Sequence, residues 1–317
     1  MAAGSIPVTP ENFSRAESDL YFSNVVKNGG FGKFDHTREV APLDKQSVIR
    51  LNRDTLYSSV VIDLDAGPAA ITLPETGDRF VSLQLIDEDQ YTYGVFYGAG
   101  RHELTREKMG TRYVVAAVRT LVNPADPADV AAAHAVQDGI QLELTALGSF
   151  EIPNWDSESQ NMVRSALLTL AETMPDTNRM YGKREDVDPV RFLIGSALGW
   201  GANPPSEALY LNVTPEKNDG STVHELVVGD VPVDGFWSVS LYNAEGYYQK
   251  NDLDHYTFNN LTAKKSADGK IRIRFGGSEG DNILPIMPGW NYMVRLYRPR
   301  PEILDGSFVF PVAKPLA

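Results

Sequence analysis

Residues 236–242 read Phe-Trp-Ser-Val-Ser-Leu-Tyr, an alternation of apolar and small polar side chains that is typical of a β-strand. Successive side chains of a strand point to opposite faces of its sheet. Trp237, Val239 and Leu241 therefore share one face, which we expect to lie in a hydrophobic core. The opposite face carries two serine hydroxyls and Tyr242. That combination suits a pocket wall, and an ordinary half-buried sheet face is the alternative.

Similar short segments recur on both sides of this strand and indicate a mainly β protein with helical insertions, an α+β fold class. Further C-terminal strands are predicted at 208–213, 223–228, 270–275 and 292–297. N-terminal strands are predicted at 48–51, 58–63, 70–73, 80–85, 112–117 and 141–144. Short, regularly spaced strands in a segment of roughly 100 residues are typical of an antiparallel β-sandwich or a jelly roll.

Helical periodicity separates the β-rich parts of the chain. It predicts a helix that ends at Lys27, an alanine-rich helix over 127–139, and helices at 157–174 and 189–198. In the segment 157–174 the side chains expected to face inward are Met162, Leu167, Leu168 and Leu170. The predicted parts are an N-terminal helix and loop (1–34), an N-terminal β-rich domain (35–150), a helical connector (151–204) and a C-terminal β-sandwich domain (205–317).

The charge of the chain limits its partners. The 317 residues carry a net charge of −13. Nucleic acids and anionic membranes bind to clustered lysine and arginine, so neither is an expected partner. The first residues lack the basic and apolar regions of a secretory signal. We therefore expect an acidic, cytoplasmic protein that binds a small-molecule ligand, and we leave open whether it forms a homo-oligomer.

Motifs for cofactors and metals are missing from the sequence. It contains no cysteine, no G-x-G-x-x-G, no Walker A loop and no H-E-x-x-H, so we predict no cofactor. The loop from Asn251 to His255 holds several metal-capable side chains but a single histidine, whereas metal sites usually take three or four ligands. We predict no metal site there and interpret Asn251 and His255 as ligand contacts.

The densest cluster of reactive side chains is Asn52-Arg-Asp-Thr-Leu-Tyr57, which follows one predicted strand and precedes another. Loops held by a rigid scaffold often carry function. Arg53 can grip a carboxylate or phosphate, Asp54 can transfer protons, and Tyr57 can donate a hydrogen bond. A structural alternative remains open, because Arg–Asp pairs often tie loops down and Asn and Thr often cap turns.

The same residues resemble a known family. Asn52-Arg-Asp-Thr-Leu-Tyr-Ser58, with Gly77-Asp-Arg-Phe80, is similar to domain of unknown function 1254. Asp234-Gly-Phe-Trp-Ser-Val-Ser-Leu-Tyr242, with Arg295-Leu-Tyr-Arg-Pro299, resembles the usual C-terminal partner of that domain, domain of unknown function 1214. The resemblance extends over most of the chain. It implies a β-rich N-terminal domain, a β-sandwich-type C-terminal domain and an unassigned activity.

Two positions depart from the pattern that the resemblance implies. Relatives often carry Arg-Tyr after the asparagine that corresponds to Asn251, where this chain has His255-Tyr256. They also often carry tryptophan before Leu-Pro, where this chain has Ile283. If these positions line a pocket, the ligand of this member differs from the ligands of its relatives.

Two functional hypotheses follow from these residues. The first is a small-molecule enzyme of the hydrolase or acid–base isomerase or lyase type, without a nucleotide cofactor and with a pocket between two β-rich domains. The second is a carbohydrate- or small-ligand-binding or assembly module without catalysis. The predicted catalytic residues are Asp54, Arg53 and Tyr57, and the predicted ligand contacts are Asn52, Tyr242, Trp237, Asn251, His255 and Arg295.

Overall fold

The computed structural model describes residues 4–46 and 49–316. The chain forms two compact units, each assembled from separate stretches of sequence. The N-terminal unit contains residues 1–38, 57–120 and 131–205, and the C-terminal unit contains residues 39–56, 121–130 and 206–317. The predicted domain boundaries follow chain order, whereas these units interleave along the chain. The domain boundaries themselves stay a prediction.

Strands outnumber helices, as predicted for a mainly β chain with few helices. The helices are α1 (Phe13–Lys27), α2 (Arg106–Met109), α3 (Pro127–Asp138), α4 (Ser157–Ala171), α5 (Pro189–Leu198) and α6 (Pro301–Leu304). The strands are β1 (Asp35–His36), β2 (Thr55–Asp63), β3 (Ala69–Leu73), β4 (Val81–Asp87), β5 (Thr92–Tyr97), β6 (Gly100–Leu104), β7 (Tyr113–Leu121), β8 (Gln141–Leu144), β9 (Ala208–Val213), β10 (His224–Val228), β11 (Trp237–Tyr242), β12 (Thr257–Asn259), β13 (Ile271–Phe275), β14 (Ile283–Leu284), β15 (Asn291–Tyr297) and β16 (Lys314–Pro315). No helix within the described ranges is long and apolar enough to cross a membrane.

The N-terminal unit is built on two sheets. One has the strand order β1-β2-β7-β4-β5, and the other has the order β6-β3-β8. Ile71 of the smaller sheet joins Val60, Leu83 and Val114 of the larger sheet in one buried cluster. Burial of such side chains from both sheets supplies most of the driving force that holds them face to face.

A helical layer forms a second core in the same unit, where Phe13 of α1, Leu167 of α4 and Ile194 of α5 are buried together. The predicted inner stripe of α4 is correct at Leu167 and wrong at its other three positions, since Met162, Leu168 and Leu170 are 68%, 39% and 51% exposed.

Buried polar contacts set the rotation of α4 about its axis. Gln160 donates a hydrogen bond of 2.7 Å to the buried Glu17, and Arg164 pairs with the same carboxylate. Because an unpaired buried carboxylate is costly, these contacts turn Gln160, rather than the neighbouring leucines, towards the interior.

The C-terminal unit is a β-sandwich. One sheet has the order β14-β13-β10-β16 and the other has the order β12-β11-β15-β9. Leu226 and Ile273 of the first sheet pack with Val239, Leu241 and Val294 of the second in a single core. The inward face predicted for residues 236–242 is therefore confirmed, while a jelly-roll topology stays a prediction.

The strand predicted at 48–51 is wrong where the structure describes it, and Val48 lies outside the described residues. Ile49 and Arg50 form a turn, and the Arg50 N–H donates a hydrogen bond of 2.8 Å to the carbonyl of Gly246. Arg50 has φ of +53°, in the left-handed region that few non-glycine residues adopt. The tertiary contact overrides the β-branched character of this segment.

Replacement of Leu241 by alanine tests the assignment of the inward face of β11. We expect Leu241→Ala to lower the free energy of unfolding by about 2–5 kcal/mol, because it leaves a cavity in the sandwich core. Leu253→Ala is the matched control, since that leucine is 47% exposed. Equal losses in urea unfolding for the two variants would contradict the assignment.

Candidate functional site

The face of the β12-β11-β15-β9 sheet that points away from the sandwich core is polar. Strand register places Ser238 of β11 between Asn259 of β12 and Arg295 of β15. Ser240 lies opposite Thr257 in the same way. Ser238, Ser240, Asn259 and Arg295 are all buried. Buried polar groups need hydrogen-bond partners, so this face has to be covered by a segment that can supply them.

Residues 39–46 and 49–56 of the same unit supply part of that cover, and we call them the cover segment. The guanidinium of Arg295 donates hydrogen bonds to the carbonyls of Arg50 and Leu51, at 2.7 and 3.1 Å. It also donates to the hydroxyls of Ser240 and Tyr242, both at 2.7 Å. The Tyr242 hydroxyl donates in turn to the Leu51 carbonyl at 2.9 Å. Arg295 thus links the sheet to the cover segment.

The charge of Arg295 is stabilised although its side chain is fully buried. Burial by itself lowers the pKa of Arg295, but the electrostatic influence of Tyr242, Tyr248, Tyr297 and Asp54 is larger and holds that pKa well above its usual range. The guanidinium is therefore a permanent positive charge at the base of the polar face.

Asp54 is the buried carboxylate of this face, with a relative exposure of 1%. Its Oδ1 accepts hydrogen bonds from the Thr257 hydroxyl at 3.2 Å and from the Asn259 amide at 3.5 Å. Its backbone N–H donates to the side chain of Asn52 at 2.8 Å. Its Oδ2 is buried and has no hydrogen-bond partner among the described residues. The carboxylate is thus fixed through Oδ1, while Oδ2 accepts no hydrogen bond from the described residues.

Ser238 provides a second unsatisfied group beside Asp54. Its hydroxyl is fully buried and lacks a hydrogen-bond partner within the part of the chain that the structure describes. Asn259 links the two groups, because it pairs with Ser238 across the strands and donates to Asp54. Native proteins leave few such groups unpaired, and an unpaired group calls for an explanation such as a bound ligand, an ion or water.

Three tyrosines form an aromatic cluster beside these groups. The ring centroids of Tyr242 and Tyr248 are 4.6 Å apart, and those of Tyr248 and Tyr256 are 6.0 Å apart. Burial raises the pKa of Tyr248 and of Tyr256, so both phenols stay protonated at neutral pH. The Arg53 guanidinium lies over these two rings, 5.9 and 5.3 Å from their centroids. Such cation–π contacts fix the plane of the arginine.

Arg53 and Asp54 do not form the loop-tying ion pair that the structural alternative requires. One amino nitrogen of Arg53 donates to the carbonyl of Ala41, and the Asp54 carboxylate binds Thr257 and Asn259 instead. No contact within 4.0 Å joins an arginine to Asp54 among the residues that the structure describes. Each of the two neighbouring side chains is therefore held by a different part of the chain.

Asn251 and His255 stabilise their own loop. The Asn251 side chain donates to the His255 carbonyl at 2.9 Å and accepts from the backbone N–H of His255 at 3.3 Å. The His255 Nδ1 lies 3.0 Å from the carbonyl oxygen of Ile283. The two positions that depart from the family pattern are thus in direct contact. Ligand contacts by Asn251 and His255 stay a prediction.

The other predicted site residues lie in three different settings. Trp237 is in the sandwich core, 5.7 Å from Phe310 between ring centroids, on the sheet face opposite Ser238. Tyr57 belongs to the N-terminal unit, where the Arg119 guanidinium lies 5.5 Å from the centroid of its ring. Asn52 donates to the Tyr297 hydroxyl at 3.3 Å. The structure therefore brings together Asn52, Arg53, Asp54, Tyr242 and Arg295, and it does not bring Trp237 to them.

Several residues of this site were not among the predicted ones. Thr257 and Asn259 lie on a three-residue strand that is too short to show a period. Tyr248 and Tyr256 lie outside the strands, where aromatic residues carry no positional signal. Ser238 was not named as a site residue, but it lies on the face predicted as a pocket wall, because it alternates with the core residues of β11.

Buried carboxylates also occur in the N-terminal unit. Asp19 is 1% exposed and accepts a hydrogen bond of 2.7 Å from the indole of Trp155. Burial raises the pKa of Asp19 to about 6 and that of Asp87 to about 7. Among the described residues, no group of three His, Asp or Glu side chains is arranged to hold a metal ion.

Two family models match the chain. Residues 31–109 match the model described as protein of unknown function DUF1254, and residues 207–301 match the model described as protein of unknown function DUF1214. None of the curated proteins matches the chain.

Two solved structures resemble the fold. The VPA0106 protein from Vibrio parahaemolyticus is 17% identical, with a TM-score of 0.75 over 97% of this chain and 98% of its own. An uncharacterized protein from Burkholderia cenocepacia is 12% identical, with a TM-score of 0.54 over 96% of this chain and 88% of its own. Identities this low establish the fold and leave the activity open.

Replacement of Arg295 by lysine tests whether this residue links the cover segment to the sheet. We expect Arg295→Lys to lower the free energy of unfolding by about 3 kcal/mol, because a lysine cannot reproduce the forked hydrogen bonds to four acceptors. Arg300→Lys is the control, since Arg300 is exposed and paired with Asp234 at the surface. The same urea midpoint for both variants would rule out a linking role for Arg295.

Asp19 should make the stability of the chain depend on pH. Its pKa is higher in the folded protein than in the unfolded chain, so the folded state binds the proton more tightly. The stabilising contribution of the protonated group is present below about pH 4 and is lost as the pH rises through about 6. At about 1.4 kcal/mol for each pKa unit, this contribution changes the free energy of unfolding by roughly 2–3 kcal/mol between acid and neutral pH. Asp19→Asn should abolish that change.

The measurement is urea unfolding of the wild type and the variant at pH values from 4 to 8, followed by tryptophan fluorescence. Asp78→Asn serves as the control because Asp78 is exposed. Parallel pH curves for the wild type and Asp19→Asn would contradict the raised pKa.

Proposed function

This chain belongs to the two-domain family that joins DUF1254 to DUF1214, and we propose that it is a small-molecule enzyme with hydrolytic or other acid–base chemistry. The observation that carries the proposal is the Asp54 carboxylate, buried and held through Oδ1, with its Oδ2 unpartnered among the described residues. A general base needs this combination of fixed position and free lone pair.

The immediate surroundings of Asp54 support proton transfer. Asp54 helps to raise the pKa of Arg295, and Thr257 and Asn259 fix the orientation of the Asp54 carboxylate. In the proposed reaction Oδ2 takes a proton from water or from a carbon beside a carbonyl group. The proton then passes to the leaving group or to another carbon, which regenerates the carboxylate.

The cover segment, β11 and the loop before β12 also carry donors that can stabilise a developing negative charge. The Arg53 guanidinium is positively charged, and the Tyr256 phenol stays protonated because burial raises its pKa. The Ser238 hydroxyl is buried without a partner among the described residues. Donors preorganised around a buried site stabilise an oxyanion more strongly than water does. We assign Asp54 as the base and these side chains as candidate oxyanion donors.

The alternative of a carbohydrate-binding module receives less support from the aromatic residues. A sugar platform needs ring faces that are open to the ligand. Tyr242, Tyr248 and Tyr256 are at most 5% exposed and pack on one another, and Arg53 lies over two of these rings. This arrangement favours a charged, catalytic site over a stacking platform.

Asp54→Asn tests the proposal on a panel of small esters, lactones, amides and carbonyl compounds. We expect the variant to lose about 10²–10⁴-fold in kcat, the usual contribution of a general base. Its amide can still accept the hydrogen bonds of Thr257 and Asn259, so the fold should persist.

Asp252→Asn is the matched control because Asp252 is an exposed carboxylate of the same unit. Circular dichroism and urea unfolding should show that all three proteins are folded. Undiminished turnover by Asp54→Asn would exclude Asp54 as the base. No turnover by the wild type across the whole panel would count against the proposal itself.

A further inference from the structure

We propose that the substrate of the Asp54 site is an organic anion, whose carboxylate or phosphate oxygens are bound by Arg50 and Arg53. The inference rests on the proposed function for the location of the site. It adds the chemical class of the substrate and a binding residue, Arg50, that the sequence patterns did not single out.

The first observation is a surplus of positive charge. The cover segment and the polar sheet face carry the guanidinium groups of Arg50, Arg53 and Arg295, and Asp54 is the one buried carboxylate among the described residues of these two elements. None of the three arginines lies within 4.0 Å of a carboxylate in the described ranges. The other carboxylates of the cover segment and the nearby loop, Glu39, Asp44, Asp252 and Asp254, are exposed, so solvent screens their charges. In a protein with a net charge of −13, this local excess of cations indicates an anionic ligand.

The second observation is that Arg50 and Arg53 keep most of their donors free. An arginine carries five N–H donors in a fixed fork. Arg50 donates through one amino nitrogen to Asn291 at 2.6 Å, and Arg53 donates through one amino nitrogen to the Ala41 carbonyl. No further acceptors of either guanidinium occur among the described residues, and both side chains are half-buried rather than enclosed. The remaining N–H groups can bind two oxygens of one anion in parallel.

The third observation is that tyrosine rings hold the guanidinium groups of Arg50 and Arg53 in place before any ligand binds. The Arg50 guanidinium lies 6.0 Å from the ring centroid of Tyr242, and the Arg53 guanidinium lies over Tyr248 and Tyr256. Side chains that are ordered beforehand lose less entropy when they bind. The aromatic cluster therefore prepares two bidentate donors for an anion.

Arg50 also has a left-handed backbone conformation, which the hydrogen bond to Gly246 holds in place. Its φ of +53° is rare for a residue with a Cβ, and such strain concentrates at functional sites. Burial lowers the pKa of Arg50, Tyr242 opposes this effect, and the positive charge of Arg295 lowers the pKa further. An anion bound by Arg50 would offset this repulsion.

The test is calorimetric titration of the full chain at constant ionic strength. Malonate represents a carboxylate ligand and inorganic phosphate represents a phosphate ligand, with neutral malonamide and chloride as controls. We expect malonate or phosphate to bind and the controls not to bind, and the tighter of the two anions assigns the group. Arg50→Gln and Arg53→Gln should each weaken that binding by tenfold or more. Arg272→Gln should leave it unchanged, since Arg272 is a half-buried arginine of the other sheet and is paired with Asp268.

Several results would overturn the inference. They are the failure of both anions to bind the wild type, equal binding of malonamide, and unchanged affinity in both glutamine variants. Arg53→Lys gives a second check. It keeps the positive charge but loses the bidentate guanidinium, so its affinity for the anion should be lower. If a glutamine variant fails to fold, the wild-type titrations against the neutral control still decide the question.

Asp54→Asn separates this inference from the proposed function. The variant should bind the anion at least as tightly as the wild type, because it removes a negative charge from the site, while it loses turnover. Anion binding that depends on Arg50 and Arg53, without turnover that depends on Asp54, would keep the inference and reject the enzyme. Turnover that depends on Asp54, without anion binding, would keep the enzyme and reject the inference.

Discussion

The buried guanidinium of Arg295 is the interaction on which the site depends. It satisfies two hydroxyls of the polar sheet face and two carbonyls of the cover segment, which lie 245 and 244 residues away in sequence. A buried charge is tolerated only when its donors are used and its field is compensated. Hydrogen bonds and the nearby carboxylate of Asp54 meet both conditions. The position of Asp54 follows from this arrangement, since it lies three residues after Leu51 in the same segment.

The sheet face combines two demands that usually conflict. Proton transfer requires an ionised carboxylate with a free oxygen, and burial of such a group is costly. Thr257 and Asn259 hold the Asp54 carboxylate while leaving Oδ2 unbonded among the described residues. In the proposed enzyme, Arg50 and Arg53 supply the positive field that attracts an anion, and Asp54 supplies the base.

Local sequence patterns predicted the helices and strands better than the contacts between segments that are distant in the sequence. The alternation over residues 236–242 was enough to place Val239 and Leu241 in the core, because burial on one face of a strand has a strict period. The reactive character of Arg53 and Asp54 could be inferred from their side chains alone. The turn at Arg50 could not be predicted, since it depends on a hydrogen bond to Gly246. The rotation of α4 was missed for the same kind of reason, because the partner of Gln160 is Glu17, far away in the sequence.

The cover segment has a consequence for how this architecture is inherited. It belongs to the stretch that matches DUF1254, yet it is part of the same compact unit as the sheet that matches DUF1214. An unrelated segment in place of the cover segment would have to bring two backbone carbonyls to the Arg295 guanidinium, or that buried cation would be left unsatisfied. The sheet that matches DUF1214 therefore depends on residues that lie within the DUF1254 match.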